Sequence, residues 1–349
     1  MHTHLLRLVG ALAAAVLVGS LAACGPQPGA SIAGPCSSDT PSQSGCVALK
    51  VGLGYLPSVQ FAPFYLADQA GYYRDAGLDV TFQNKIDPDL VALVGQGALD
   101  VGVADGTSVI PAVSQGIPIQ YVATIYGTYP SIVFAKKSSG ITKAADLRGR
   151  KLGIPGKYGS SWIMLQALLE AAGLSPDDLT IIVYPDFGQG VAVQQGAVDA
   201  ATGFANNEPV QMELHGEPAV VLHVDDVVAL PGPGLIVGNS GLEARNNAIA
   251  GFVSATIRAM TEIATDPAKG LDASIKAVPE LASDRPAQLA ILKATIATWA
   301  PPGGDATDYG AIDRAGWQAS IDYLSKLGLV PNPVTVDRLV QEVRILPAD

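Results

Sequence analysis

Three cysteines in 349 residues, none beyond Cys46, leave most of this chain without thiol chemistry or a disulfide framework. Histidine is nearly as scarce. Two of the four stand at positions 2 and 4, so the rest of the chain has only His215 and His223. These lie eight residues apart with no cysteine or tight carboxylate cluster beside them, so no zinc or redox-metal site is legible. Basic residues are short too, with 21 Lys and Arg against 32 Asp and Glu and a net charge of −11. Such a surface repels phosphates, and no basic stripe offsets it, which argues against a nucleic-acid partner. There is no Gly-x-Ser-x-Gly elbow, Walker loop or Cys-x-x-Cys pair. Gly52-Leu53-Gly54-Tyr55-Leu56-Pro57 opens like a dinucleotide fingerprint but puts Pro57 where the third glycine belongs. His223 falls in the apolar run 220–224, where a structural role fits better than a catalytic one. Nothing here asks for an enzyme or a cofactor.

Long apolar runs are missing as well, apart from one at the start. Arg7 is the one Lys or Arg in the first 23 positions, and residues 8–21 are small and apolar. That run is shorter than the roughly 20 residues a comfortable transmembrane helix needs, so residues 1–23 read as an export signal. Leu21-Ala22-Ala23-Cys24 resembles the bacterial lipobox, which implies that Cys24 becomes the lipidated first residue of the mature protein. Loss of the signal leaves 20 basic against 32 acidic residues, a net charge of −12. The body is then expected to be soluble and held to the outer face of the cell membrane by that lipid. Residues 24–46, rich in Gly, Pro and Ser, read as a flexible tether. Within it Cys36 and Cys46 could close a small loop worth roughly 2–3 kcal/mol, or remain two free thiols.

What is present is an internal repeat. Gln96-Gly97-Ala98-Leu99-Asp100-Val101 and Gln195-Gly196-Ala197-Val198-Asp199-Ala200 both carry an apolar helix through a glycine C-cap into a short strand. Lys50-Val51-Gly52-Leu53 matches Lys151-Leu152-Gly153-Ile154, and Ala76-Gly77-Leu78 matches Ala172-Gly173-Leu174. Three matches in the same order point to two similarly built α/β lobes, with a ligand cleft between them.

Strand-like runs at 49–53, 80–83, 101–104, 119–125 and 131–135 alternate with helical spacing at 63–76, 89–95 and 108–115. A second cycle has strands at 151–154, 180–183 and 200–203, and helices at 160–172, 188–195 and 207–215. This alternation predicts parallel sheets covered on both faces. The run 235–237 reads as a strand crossing back, followed by helices at 249–265, 287–299 and 309–327. The expected organisation is a first lobe over 47–137, a second over 138–234, and a return to the first over 235–349. Crossovers are placed near 136–140 and 231–234.

In open α/β sheets ligands meet the loops at the carboxyl ends of strands. Those loops hold Tyr55, Gln60, Asp105, Ser108, Tyr126, Thr128 and Tyr129 in the first half. In the second half they hold Lys157, Tyr158, Ser160, Phe187, Gln189, Phe204, Asn206 and Glu208. Six of the chain's 21 aromatic residues, Tyr55, Tyr126, Tyr129, Tyr158, Phe187 and Phe204, fall at these ends, and stacking on a flat ring would suit them. Asp105 and Glu208 occupy comparable positions in the two halves and favour N–H or O–H donors over anions. Asp105 reads equally as a local turn or a cap for the helix at 107–115. The Gly-rich turn 156–161 could hold an anion or a carbonyl oxygen, or simply start a helix capped by Ser160.

The segment from Gly54 to Ala67, followed by Gly71-Tyr72-Tyr73 and Gly77-Leu78-Asp79-Val80, resembles a known family. It is similar to the periplasmic binding proteins of the thiamine-pyrimidine, riboflavin, sulfonate and taurine type, substrate-binding subunits of ABC importers. The likeness continues through Leu93-Val94-Gly95-Gln96-Gly97, Ala145-Asp146-Leu147-Arg148-Gly149-Arg150-Lys151 and Ala205-Asn206-Asn207-Glu208-Pro209. The resemblance implies a type II periplasmic-binding-protein-like fold of two lobes with a helical C-terminal extension. It also implies a lipoprotein that hands a small ligand to an ABC permease. Tyr55 stands where such proteins often stack an aromatic on the ligand. The Tyr55, Pro57 and Asn206-Asn207-Glu208-Pro209 signature looks nearest to binders of thiamine pyrimidine precursors or riboflavin, with an alkanesulfonate or taurine binder as the alternative. Fungal thiamine-pyrimidine synthases share the fold but carry a histidine in the first motif and a cysteine-rich signature. Phe61 stands at the matching position here, which argues against that enzyme.

Overall fold

Residues 45–228 and 230–344 are described by a computed structural model of the chain. The export signal, Cys24 and Cys36 lie outside the described residues. Cys46 is disulfide-bonded. Among the described residues no helix is long and apolar enough to cross a membrane.

The chain opens with β1 (Val47–Gly52), α1 (Ala62–Gln69), α2 (Tyr72–Asp75) and β2 (Leu78–Gln83). It continues through α3 (Leu90–Gly95), β3 (Val101–Ala104), α4 (Gly106–Ser114) and β4 (Ile119–Thr124). The single helix expected over 63–76 is broken at Gly71, whose φ of +84° is left-handed. Next come β5 (Ser131–Lys136), β6 (Lys151–Ile154), α5 (Gly159–Ala171) and β7 (Thr180–Val183). After these stand α6 (Gln189–Gln194), β8 (Ala200–Phe204), α7 (Glu208–Leu214) and β9 (Ala219–His223). Strand β10 (Gly234–Gly238) leads into α8 (Asn239–Thr265), α9 (Pro267–Ala277), α10 (Arg285–Ile296), α11 (Arg314–Lys326) and α12 (Val336–Leu339).

Two five-stranded sheets result, ordered β2-β1-β3-β10-β4 and β7-β6-β8-β5-β9. The orders superimpose when β1, β2, β3 and β4 are matched to β6, β7, β8 and β9 and the crossing strands β10 and β5 are matched to each other. The repeated residues do the same work in each. Asp100 Oδ2 accepts the Lys50 N–H at 2.7 Å, and Asp199 Oδ2 accepts the Lys151 N–H at 2.8 Å. Gly97 and Gly196 turn the preceding helix into the strand with φ of +75° and +71°.

The sheets are not wholly parallel. Strand β10 runs antiparallel to β3 and β4, and β5 antiparallel to β8 and β9. Each is the strand that arrives from the other sheet, so it enters at the facing edge and must run against its neighbours. The first crossover also differs from the expected 136–140. Because β5 already lies in the second sheet, the chain changes sheets over 125–130, and it returns over 224–233. The two crossover segments bond to each other, with the Ile125 and Tyr126 N–H groups donating to the Pro233 carbonyl at 3.1 and 2.9 Å.

Apolar side chains bury both faces of each sheet. Leu49, Val51, Phe64 and Phe252 fill one side of the first, and Leu90, Val94, Ile236 and Trp317 the other. In the second, Leu152 and Ile154 of β6 share a core with Leu165 of α5, while Phe134 of β5 shares one with Val193 of α6 and Met212 of α7.

Candidate functional site

The crossovers decide which sheet edges face one another. One joins the carboxyl end of β4 to the amino end of β5, and the other joins the carboxyl end of β9 to the amino end of β10. Register places Gly234 opposite Ala104 and Thr124, and Ser131 opposite Phe204. Both carboxyl edges therefore border the same cleft, the place where open α/β sheets receive ligands.

At the mouth of the cleft, Tyr55 after β1 and Phe187 after β7 meet across the lobes. Their ring centroids are 5.3 Å apart and the planes 79° from parallel, an edge-to-face contact. Phe187 has φ +61°, the one left-handed residue other than glycine among the described residues. Burial, with the nearby Glu208 carboxylate second, pushes the Tyr55 phenol up to about 12.

Glu208 is folded back on its own turn. Its Oε2 accepts the Phe204 N–H at 2.9 Å and lies against Gly203, where an added Cβ would stand 2.8 Å away. Burial pushes its carboxyl up to about 7, against the opposing pull of the Phe204 N–H. Asp105 caps α4. Its Oδ1 accepts from the Thr107 hydroxyl at 2.6 Å and from the Ser108 N–H at 3.2 Å, and Ser108 Oγ lies 3.4 Å away. The cap of α7 is Asn207, with Glu208 as the first helical residue, so the two carboxylates are not equivalent.

Tyr129, 3% exposed, sits in the first crossover beside Asp105 of one lobe and Ser160 of the other. Burial, reinforced by the Asp105 charge, holds its phenol well above 10. Ser160 does not cap α5. The cap position is Tyr158, which makes no side-chain capping bond. Lys157 and Tyr158 point outward. The ammonium lies 5.8 Å from the Trp162 ring centroid, and Tyr158 is 64% exposed. Gln60 is buried in the turn ahead of α1. The Thr128 hydroxyl donates to the Ala300 carbonyl at 3.2 Å, which ties the crossover to the C-terminal stretch. Tyr126 is likewise packed inside.

In the second lobe, the buried polar atoms Gln189 Oε1, Thr202 Oγ1 and Asn206 Oδ1 lack a partner among the described residues. The amides of Gln189 and Asn206 are otherwise committed, donating to the Thr202 carbonyl at 3.3 Å and to Thr295 Oγ1 at 2.9 Å. Gln189 Oε1 and Asn206 Oδ1 can only accept, while Thr202 Oγ1 can also donate. Thr202 and Thr295 escaped the reading of the sequence. A lone threonine within the small, apolar β8 was the one available signal.

A family model described as NMT1/THI5 like matches residues 58–270. The riboflavin-binding protein RibY of Chloroflexus aurantiacus is 30% identical over 318 residues, covering 90% of either chain. The 4-amino-5-hydroxymethyl-2-methylpyrimidine phosphate synthase THI13 of Saccharomyces cerevisiae is 27% identical, over 66% of this chain and 72% of that one. In structure, the periplasmic aliphatic sulphonate binding protein SsuA from Escherichia coli aligns with a TM-score of 0.65 at 20% identity. It covers 86% of this chain and 94% of that one.

Proposed function

This chain belongs to the NMT1/THI5-like family, and from that premise we propose that it is the substrate-binding component of an ABC-type importer. In this reading it is exported, anchored by lipid on Cys24, and captures a small heteroaromatic nutrient. A flavin such as riboflavin is favoured, with a thiamine pyrimidine precursor next. The observation that carries the reading is the Tyr55 and Phe187 ring pair across the cleft, supported by buried polar atoms of the second lobe that lack a partner among the described residues. Buried polar atoms without partners are costly, so they favour a ligand with hydrogen-bonding groups, and flat rings favour an aromatic one. RibY, similar over nearly the whole chain, is named for binding such a molecule.

The sulfonate reading has less support. Positive charge in the cleft would favour an anion, yet Lys157 lies over Trp162, and Asp105 and Glu208 both border the cleft. Synthase chemistry is also less well supported. Phe61 packs against Phe64 at 6.4 Å between ring centroids, and among the described residues the histidines are His215, which follows α7, and His223, the last residue of β9.

The experiment has two arms. Riboflavin, 4-amino-5-hydroxymethyl-2-methylpyrimidine and taurine are titrated into wild type, Tyr55→Ala and Asn206→Ala. A heterocycle should bind wild type. Asn206→Ala should weaken it by roughly 2- to 13-fold, the value of one ordinary hydrogen bond, and Tyr55→Ala by a similar factor. Taurine binding with no heterocycle bound would overturn the choice. In the second arm, Cys24→Ala should leave the membrane fraction; unchanged partitioning would remove the anchor from the reading.

A further inference from the structure

The strand orders also say which edge of the cleft can move. The crossovers leave from β4 and β9 and enter β5 and β10, which all lie toward one edge of each sheet. On that side the lobes are tied: α4 packs on α5, Ile163 of α5 sits in the core beside Val109 and Trp317, and Lys326 pairs with Glu170. The opposite edges, β2-β1 and β7-β6, have no covalent link between them. A hinge at the crossovers would open the cleft there, and that is where Tyr55 touches Phe187.

Two further facts set Phe187 apart from a ring that merely happens to be near. It sits in a tight turn closed by its own N–H donating to the Tyr184 carbonyl at 3.0 Å, with the Asp186 carboxylate accepting from Gly188 at 3.1 Å. That turn holds a bulky residue at φ +61°, a conformation retained only where the surroundings enforce it. From this turn the ring meets Tyr55 of the first lobe.

We propose that Tyr55 and Phe187 form an aromatic latch that holds the lobes closed before ligand arrives, and that a ligand gains the Tyr55 face by displacing Phe187. The inference rests on the two-lobed cleft, not on which ligand fills it. An aromatic pair of this kind shifts a closed-to-open ratio by roughly 2- to 13-fold, so it biases the equilibrium without locking it. The ligand face of Tyr55 is then presented in proportion to the open fraction.

The test needs no ligand. Full-length protein is dialysed free of small molecules before measurement. Small-angle scattering of ligand-free Tyr55→Ala, Phe187→Ala and the double variant should show one common increase in radius of gyration over wild type. Unchanged radii, or increases that add in the double variant, overturn the latch. Phe187→Leu, which keeps bulk at the same turn, provides the scattering comparison if Phe187→Ala fails to fold, and should expand as the Tyr55→Ala protein does. Failure to bind any heterocycle leaves these results untouched, and a failed latch leaves the heterocycle reading standing.

Discussion

Glu208 shows how one carboxyl can be visible in the sequence while its use is not. Its place after β8 put it at the cleft, but the backbone then turned its Oε2 onto the Phe204 N–H. Burial raises the group to about 7, above the ordinary 4.5. A folded-state value above the unfolded one means the protonated form is favoured by folding. The stabilisation is full below about 4.5 and is lost as pH rises through 7. At 1.36 kcal/mol per unit, the loss between pH 4.5 and 8 is about 3 kcal/mol at most. Glu208→Gln keeps an oxygen for the Phe204 N–H and cannot ionise. It should therefore be more stable than wild type at pH 8, and the gap should close near pH 4.5. Urea unfolding of both proteins at four pH values across that window checks this, and parallel pH profiles would refute it. Asp105 is the simpler case: the sequence left a cap and a ligand contact open, and the structure supplies the cap. Neither outcome was legible, because both depend on where a neighbouring N–H points.

The repeated corner is the element that the sequence displayed best. Gly97 and Gly196 both take left-handed backbone, and the space around each is open, with nothing within 4 Å of an added Cβ. A methyl there would meet no neighbour, so the cost of alanine is purely conformational, roughly 1–2 kcal/mol. Gly97→Ala and Gly196→Ala should destabilise to a similar degree by thermal unfolding; a loss at only one corner would show that the two are not built alike. The alternation of strands and helices was readable because buried strands and amphipathic helices have different periods. Strand β9 was not drawn as a strand, since its apolar run was read only around His223. The antiparallel partners of β5 and β10 were also hidden. Residues 119–125 and 131–135 look like neighbours in one sheet, and nothing local marks which sheet a strand will join.

At the scale of the whole molecule, that exchange of strands binds the lobes into one folding unit. Strand β10 lies between β3 and β4, so the first sheet is divided until the chain has passed through all of the second. The second sheet likewise needs β5, delivered from the end of β4, between β8 and β9. The lobes are also packed together at the tied edge. Tyr323 of α11 touches the cores of both, and burial with the nearby Glu170 raises its phenol to about 12. Asn206 of the second lobe donates to Thr295 of α10, which belongs to the C-terminal helices. Chains of two domains often unfold in separate steps, because few contacts cross between the domains. Here neither sheet is complete without a strand that reaches it through a crossover, so loss of one lobe should strip the other. Differential scanning calorimetry should therefore show a single transition, with calorimetric and van't Hoff enthalpies equal. Two resolved peaks, or a van't Hoff enthalpy near half the calorimetric value, would mean that each sheet survives the loss of the other. The hinge at the crossovers would then be a boundary between independent domains rather than a joint within one.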